Sequence, residues 1–342
     1  MGTAAARRKD MPLLEDDYPR YLASKRSVDD RAVNERVLRR LATELEGRNR
    51  LDVLVLGAGI GRGLERLLER EVLPANAEIA CTLVDLRESN VEAARERLPE
   101  WARSQGHAVT EPSGDHDRPA DPDPRNAEDE SGQEGRGPHL RIETDSRTVD
   151  VEVLRADAFS VVARDEWDLL VGGAFLDLFD LDVALPRLLA ALEPGGYCYF
   201  PITFDGGTIL EPPIDGIAPD RLEAAFHARI DSGGDSRAGR HLLTRLPREG
   251  ASVLAAGSSD WVVRACDGAY PAAEATFLRY IVDTIADALA GSEESDLGEE
   301  VLTRWRERRH EQIERGDLVY IAHQLDVLGR IREPDEAGPG SE

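Results

Sequence analysis

Apolar runs and stretches with helical periodicity alternate along the first two thirds of the chain. A continuous apolar run is typical of a strand buried on both faces, and apolar residues recurring every three or four positions indicate an amphipathic helix. The pattern predicts strands at residues 51–56, 79–85, 149–154, 167–171 and 197–204, with a hairpin partner for the third at 140–144. Helices are predicted between these strands. This alternation favours a doubly wound α/β fold, in which helices cover both faces of a mainly parallel sheet.

Two segments of the first half depart from this alternation. Residues 1–15 are expected to form a loose tail, and Ser27 is predicted to cap an amphipathic helix that runs to Leu45, with Asp30 completing a capping box. Residues 107–138 contain five prolines and nine acidic residues with almost no large apolar side chain. Such a composition cannot bury enough apolar surface to fold, which predicts a disordered acidic insertion.

The last third of the chain has a less regular pattern. It predicts helices at 183–192, 220–230, 240–246, 274–289 and 299–315, strand segments at 252–255 and 261–265, and a final strand at 318–328. The helix at 183–192 is expected to stop at the sequence Pro194-Gly195-Gly196, which leads into the fifth strand. A disordered tail is predicted at about 333–342.

The charge of the chain restricts the classes of partner. There are 67 acidic and 42 basic residues, a formal net charge of −25, and only Lys9 and Lys25 among the basic residues are lysine. This composition is typical of halophilic proteins, although a GC-rich genome also favours arginine over lysine. Because the charge repels nucleic acids and anionic membrane surfaces, neither is expected as a partner.

The cysteine content and the absence of long apolar runs predict a cytoplasmic protein. Cys81, Cys198 and Cys266 lie far apart in the sequence, which argues against a disulfide framework and against a Cys-x-x-Cys metal site. No apolar run reaches the ~18 residues of a membrane span. Residues 1–20 lack the apolar core of a signal peptide. No sequence pattern argues for a bound metal.

A glycine turn follows the first strand, with Gly57, Gly59 and Gly61 at alternate positions. A dinucleotide-binding fingerprint requires a third glycine in its sixth place, which is Arg62 or Leu64 here depending on the register. Bare backbone before a helix N-terminus lets a phosphate, a carboxylate or a nucleoside lie against the turn. The alternative is that these glycines only form a tight corner between the strand and the helix.

Two acids end the next strands. Asp85 ends the second strand, where it could accept both hydroxyls of a ribose through hydrogen bonds worth roughly 1.5–3 kcal/mol. Asp157 ends the third strand and is followed by Ala158 and Phe159. These three residues could bind the amine of an adenine and cover one face of its ring. In both places the alternative is an acid that caps a helix.

These features, in this order, resemble the class I S-adenosylmethionine-dependent methyltransferases over about residues 51–204. The resemblance includes the L-x-P-G-G sequence that begins at Leu192. It implies a seven-stranded sheet in the order 3-2-1-4-5-7-6, whose last strand is antiparallel. It also implies a cofactor site for S-adenosylmethionine that consists of Gly57, Ala58, Gly59, Gly61, Asp85, Leu86, Asp157, Ala158, Phe159, Gly172 and Gly173.

One position departs from the pattern of that family. Many members carry an acid two residues before the first glycine, and this chain has Val55 there. Contacts to the methionine end of the cofactor must then come from elsewhere. Residues 18–31 are a candidate lid, from which Lys25 or Arg26 could reach the carboxylate. Each of these two side chains could equally be a solvated charge.

The resemblance therefore predicts an enzyme that transfers a methyl group to a small molecule by in-line displacement. The leaving group departs neutral, so positioning alone can supply ~7–11 kcal/mol of the acceleration. A base is needed only if the acceptor must lose a proton, and Asp177 and Asp180 are the candidates. The alternative for both is an acid in a loop or at the start of a helix.

Three regions follow from this interpretation. Residues 1–50 form the tail and lid helix, 51–204 the nucleoside-binding core, and 205–342 complete the sheet and add helices that shape the substrate site. Two other functional classes remain open. One is a nucleoside-binding regulatory module without catalysis. The other is a different enzyme with the same type of sheet, either an NAD-dependent dehydrogenase or an aminopropyl transferase.

Overall fold

One mixed sheet organises the computed structural model, which describes residues 17–111, 140–164, 166–290 and 297–333. Within these residues the sheet has ten strands in the order β3-β4-β5-β2-β1-β6-β7-β10-β8, and β9 also pairs with β10. The strands are β1 Arg50–Leu56, β2 Glu78–Asp85, β3 Ala108–Thr110, β4 Leu140–Glu143, β5 Thr148–Arg155, β6 Trp167–Val171, β7 Leu192–Glu211, β8 Ala251–Ser258, β9 Trp261–Val263 and β10 Val319–Ile331.

The strand order confirms the predicted fold class. Strands β5, β2, β1, β6 and β7 are parallel neighbours, and β10 is antiparallel to both β7 and β8. Counted along the core, this is the expected order 3-2-1-4-5-7-6. The predicted number of seven strands is too low, because β3 and β4 extend one edge of the sheet and β9 adds to β10.

Helices pack on both faces of this sheet. They are α1 Tyr18–Ser24, α2 Arg26–Ala32, α3 Glu35–Leu45, α4 Arg62–Glu69, α5 Glu88–Ser104, α6 Ala158–Val162, α7 Leu181–Leu189, α8 Pro219–Asp231, α9 Ala238–Arg245, α10 Glu274–Leu289 and α11 Glu299–Arg315. Alternate residues of β1 belong to two separate apolar clusters. Val53 packs with residues of α3, α4, α5 and α10, and Leu54 packs with residues of α6, α7 and α9. None of these helices, in the part of the chain described, is long and apolar enough to cross a bilayer.

The predicted N-terminal capping box is wrong. Ser27 lies inside α2, where its hydroxyl donates to Oε1 of Glu274 at 2.7 Å instead of capping a helix. The cap of the amphipathic helix α3 is Asn34, whose side chain accepts from the backbone amides of Arg36 and Val37. Asn34 is also a preferred capping residue by type, and it was not predicted as a cap.

Two further boundaries differ from the prediction. Helix α7 ends at Leu189, and β7 begins at Leu192, so Pro194-Gly195-Gly196 lies inside a strand instead of ending a helix. A register shift in the β6–β7 pairing accommodates these residues, with Gly195 in the left-handed region at φ +79°. Residues 108–110 form the edge strand β3 although they were assigned to the acidic insertion. Residues 112–138 of that insertion, the predicted tail at 1–15, and residues 334–342 of the tail predicted at about 333–342 lie outside the described residues.

A buried carboxylate joins the end of the sheet to the N-terminal helices. Asp326 on β10 is fully buried and accepts hydrogen bonds from Ile202 N at 2.8 Å, Asn34 N at 2.9 Å and the hydroxyl of Tyr199 at 3.0 Å. Ile202 has a positive φ of +55°, so this hydrogen bond stabilises an unfavourable backbone conformation in β7. The joint between α2 and α3 is thereby fixed to β7 and β10.

Removing this carboxylate should destabilise the whole domain. Asp326→Ala leaves two buried donors and one partly buried donor without an acceptor, and we expect a loss of about 3 kcal/mol or more in the free energy of unfolding. Urea unfolding followed by circular dichroism measures it. Asp215→Ala is the control, because Asp215 is exposed. Equal stabilities of the two variants would contradict the structural role of Asp326.

Candidate functional site

The glycine turn lies at the carboxyl end of β1, where the strand order reverses. From β1 the chain adds β2 and β5 on one side and β6 and β7 on the other, and α/β proteins bind ligands at such a point. Gly57 and Gly59 both have φ +57°, and Gly61, which precedes α4, has φ +88°. The amide of Ala58 donates to the carbonyl of Val84 at 2.9 Å, which joins the turn to β2.

Asp85 at the end of β2 holds this turn in place. Its Oδ2 accepts from the Gly59 amide at 2.9 Å, and its Oδ1 accepts from the Arg87 amide at 2.9 Å and from Nδ2 of Asn90 at 3.1 Å. The side chain is buried, with 8% of the residue exposed. Since each carboxylate oxygen has two lone pairs, Oδ2 retains one position for a further donor. Leu86, the next residue, is 54% exposed and faces away from the core.

Asp157 and the residues after it lie at the end of β5. Asp157 is exposed and caps α6, accepting the amide of Phe159 at 3.1 Å. Phe159 is buried in an aromatic group with Phe175 and Phe179, and the guanidinium of Arg187 lies 4.6 Å from its ring centre. Ala158 is half-buried. The structure therefore gives Asp157 a capping role and leaves its second carboxylate oxygen without a hydrogen bond in the described residues.

Two apolar side chains cover the glycine turn directly. A Cβ atom added to Gly57 would lie 2.8 Å from Cδ2 of Phe175, and one added to Gly59 would lie 2.7 Å from Cδ1 of Leu22. Leu22 belongs to α1, and Phe175 follows β6. Any ligand that lies against the turn must therefore displace both side chains. Each contacting atom is the far end of a rotatable side chain, so the displacement does not require the backbone to move.

Gly172 and Gly173 end β6 beside this aromatic group. The amide of Gly172 donates to the carbonyl of Tyr199 at 3.0 Å, and a Cβ at Gly172 would meet the ring of Phe200 at 3.3 Å. Gly173 is exposed, and a Cβ there would meet Pro201 at 3.5 Å. Only Gly172 lies at a close approach between the ends of β6 and β7, since a side chain at Gly173 would make ordinary van der Waals contact.

The structure gives Lys25 and Arg26 acidic partners of their own. Lys25 forms an ion pair with Asp29 at 3.1 Å, has only 12% of its side chain exposed, and lies 5.3 Å from the ring centre of Trp261. Arg26 pairs with Glu69 on α4 at 3.2 Å. Lys25 therefore points toward Asp29 and Trp261, and Arg26 points toward α4.

Arg62, which occupies the place of the missing third glycine, has a structural role. Its guanidinium donates to both oxygens of Asp30 on α2, at 2.8 and 3.0 Å, and forms an ion pair with the fully buried Glu65. Arg97 on α5 also donates to both oxygens of Glu65, at 2.9 and 3.0 Å. This buried network fastens α2 to α4 beside the glycine turn.

Asp177 and Asp180 lie in different environments after β6. Burial raises the pKa of the Asp177 carboxyl from its ordinary value of 3.8 to about 6, and Lys25 and a backbone hydrogen bond lower it only in part. Its Oδ1 is buried without a hydrogen-bond partner among the described residues. Asp180 is exposed and caps α7 by accepting the Asp182 amide at 2.9 Å. Asp177 is therefore the better placed acid for receiving a proton near neutral pH.

Sequence reasoning missed Leu22 and Phe175, the residues that cover the turn. Both lie in segments that the sequence analysis had singled out, the candidate lid at 18–31 and the loop after β6. The available signal was their apolar character, which is unexpected in a segment assigned to a lid and in a segment assigned to a loop. No group of three or more His, Cys, Asp or Glu residues that could hold a metal occurs within the described ranges.

Comparison with known proteins finds distant structural similarity only. No protein-family model matches the chain, and no curated protein matches it. A SAM-dependent methyltransferase from Thiobacillus denitrificans, in complex with S-adenosyl-L-homocysteine, is 16% identical, with a TM-score of 0.43 over 89% of this chain and 95% of that one.

Two other solved structures show the same degree of similarity. A SAM-dependent methyltransferase from Geobacter sulfurreducens, also with S-adenosyl-L-homocysteine, is 14% identical, with a TM-score of 0.42 over 92% of this chain and 98% of that one. The cyclopropane synthase MmaA2 from Mycobacterium tuberculosis is 12% identical, with a TM-score of 0.43 over 94% and 97% of the two chains. Similarity this distant transfers no activity from those proteins to this one.

Gly59→Ala tests the crowding above the turn. The left-handed φ at this position should cost about 1–2 kcal/mol for any residue with a Cβ. The contact with Leu22 should add a coupling of about 0.5–1 kcal/mol. Urea unfolding of Gly59→Ala, Leu22→Ala and the double variant forms a cycle that separates the two contributions. Strict additivity would show that Leu22 does not lie on Gly59.

Asp177→Asn should stabilise the protein at neutral pH. Because burial raises the pKa of Asp177, the folded state binds more protons than the unfolded state between pH 3.8 and about 6, and stability falls as the pH rises through that window. The amide variant lacks this loss, so we expect a gain of about 3 kcal/mol above pH 7, about half of that gain at pH 5, and little gain below about pH 4. Urea unfolding at these pH values measures it. The control Asp180→Asn keeps a helix cap and should show no such pH dependence.

Proposed function

We propose that this protein is an S-adenosylmethionine-dependent methyltransferase that acts on a small-molecule acceptor. The observation that carries the proposal is the insertion of the antiparallel strand β10 between β7 and β8, in a sheet that also has a glycine turn at its switch point after β1. A nicotinamide-dependent dehydrogenase would instead be expected to have the sixth strand parallel and a third glycine in its turn. Arg62, with its buried ion pairs, stands in that place.

The residues at the turn fit this cofactor after Leu22 and Phe175 rotate. The left-handed backbone at Gly57 and Gly59 leaves main chain open to a ligand, and Asp85 has a lone pair of Oδ2 left for a ribose hydroxyl. The free oxygen of Asp157 could accept the adenine amine. When bound, S-adenosylmethionine would supply an electrophilic methyl group on a sulfonium centre.

Lys25 and Asp177 would have distinct roles beside the reacting group. Lys25 lowers the pKa of the Asp177 carboxyl electrostatically, and we assign it to the carboxylate of the methionine moiety, for which it would exchange its present partner Asp29. Asp177 is assigned the proton of an acceptor hydroxyl or amine, because its carboxyl titrates close to neutral pH. Asp180, as an exposed helix cap, is a weaker candidate for that role.

A second candidate function is a nucleoside-binding module without catalysis. It would use the same glycine turn and the same Asp85 carboxylate for a nucleoside. It differs from the enzyme in that Asp177 would receive no proton from an acceptor. The net charge of −25 argues against a nucleic-acid substrate for either function.

Calorimetric titration with S-adenosylmethionine, S-adenosylhomocysteine and NAD, in molar KCl, tests the proposal. We expect both sulfur nucleosides to bind and NAD not to bind. Asp85→Asn should weaken their binding by about 10-fold or more, because the ribose loses a charged acceptor. Leu22→Ala should bind them more tightly, because less apolar surface must be displaced. Thermal melts of both variants separate a loss of affinity from a loss of fold.

The alternatives give different results. Binding of the sulfur nucleosides without transfer of labelled methyl to any small-molecule extract would favour the module without catalysis. Binding of NAD alone would overturn the assignment of the turn. Affinity that does not change in Asp85→Asn would exclude a ribose at that carboxylate.

A further inference from the structure

A cavity of about 290 Å³ lies beside the loop that carries Asp177. Its walls are the start of α7, the loop between α8 and α9, and one face of α9. The loop between α8 and α9 rests on the Asp177 segment, where the amide of Asp235 donates to the Asp177 carbonyl at 3.0 Å. A Cβ at Gly234 would lie 2.2 Å from that carbonyl oxygen, so only glycine permits this contact. The cavity therefore adjoins the proposed catalytic loop.

Three nitrogen-bearing side chains line the cavity from one face of α9. Arg237, His241 and Arg245 are spaced four residues apart, which places them in a row along the helix. The buried Nη1 of Arg245 has no hydrogen-bond partner within the described ranges, although Oδ1 of Asp182 lies 3.2 Å away. The guanidinium of Arg237 has neither a hydrogen bond nor an ion pair there. His241 uses Nδ1 to contact Asp235 at 2.6 Å, which leaves Nε2 for a ligand.

The acids of the same cavity accept hydrogen bonds from main-chain amides. Asp231 accepts the Ser236 amide at 2.7 Å, and Asp180 accepts the Asp182 amide at 2.9 Å. Asp235 accepts the Arg237 amide at 2.9 Å in addition to its contact with His241. These hydrogen bonds shape the loop and orient the imidazole, and Asp180 and Asp231 each keep one carboxylate oxygen without a hydrogen bond in the described residues. The lining side chains that offer unused donors are those of Arg237 and Arg245, and Nε2 of His241 is also free.

We propose that this cavity binds an oxyanion, a carboxylate or phosphate group, through Arg237, His241 and Arg245. The planar guanidinium of arginine can donate two parallel hydrogen bonds to a carboxylate or a phosphate, and the imidazole of His241 could donate a further one from another side. If the oxyanion is part of the methyl acceptor, this inference rests on the proposed function. The acceptor would then be a small molecule with two features. Its anionic group would bind in the cavity, and its nucleophile would be directed toward Asp177.

The test is titration of the full chain with inorganic phosphate, followed by ³¹P NMR in a low-chloride buffer, and with ¹³C-acetate in a parallel series. A chain with a net charge of −25 repels anions in general, so saturable binding would report a local site. We expect saturable binding of at least one anion, and the better ligand identifies phosphate or carboxylate as the natural group. Arg237→Gln and Arg245→Gln should each weaken it by about 10-fold or more.

Arg248→Gln is the matched control, because Arg248 is exposed just beyond α9 and does not line the cavity. Arg237 is itself exposed, so its variant should fold even if Arg245→Gln does not. The inference is overturned if neither anion binds saturably, or if Arg237→Gln binds as tightly as Arg248→Gln. Phosphate binding without binding of S-adenosylmethionine would keep the anion site and reject the methyltransferase. The reverse result would reject the anion site alone.

Discussion

The hydrogen bond from the Gly59 amide to the buried Asp85 carboxylate is the contact on which the candidate site depends. It joins the turn after β1 to the end of β2, and the same carboxylate accepts the Arg87 amide at the start of α5. Hydrogen bonds to an ionised acceptor are roughly twice as strong as neutral ones, so one side chain can position three segments of backbone. A ribose hydroxyl could donate to the Asp85 carboxylate while the Gly59 amide also remains hydrogen-bonded to it. The structural and the ligand-binding interpretations of Asp85 are therefore compatible.

The two side chains that cover the glycine turn determine how much free energy a ligand must supply to bind there. Exposing one large apolar side chain costs about 1.5–3 kcal/mol, and both Leu22 and Phe175 have to leave the glycines. Helix α2, which follows α1, is held by Asp30 to Arg62 on one side and by Arg31 to the buried Glu274 on the other. Rotating two side chains leaves both of these partly buried ion pairs intact. Entry of a ligand by side-chain rotation, with α2 left in place, is the cheaper path.

The sequence predicted those parts of the fold that depend on local pattern. Strand β6 and helices α10 and α11 have the predicted bounds, because each is a continuous apolar run or a long amphipathic stretch between clear breaks. That Ser27 would not cap a helix was not accessible, since its hydroxyl bonds to Glu274, which lies 247 residues away in the sequence. The same holds for Pro194-Gly195-Gly196, whose place in β7 follows from pairing with β6.

The sequence predicted the glycine turn and the acids of the candidate site, but it could not predict which charged residues pair with one another there. Glycines at alternate positions require no tertiary information to be recognised, and the structure gives all three of them positive φ. That Arg62 would be paired with Asp30 and Glu65, or that Lys25 would face Asp29, depends on how α2 packs. Residue type predicted a charge at these positions, and only packing could show that the charge was already neutralised.

The distribution of charge finally separates small acceptors from polymeric ones. A nucleic acid extends far beyond one Debye length, which is about 8 Å at physiological ionic strength, so it would meet the acidic surface as a whole. A small oxyanion inside a cavity meets mainly the groups that line it. Around the α9 cavity these are Arg237, His241 and Arg245, whose donors remain available, opposite carboxylates already bound to main-chain amides. An acidic protein can therefore recognise a small anion locally while its surface repels long polyanions.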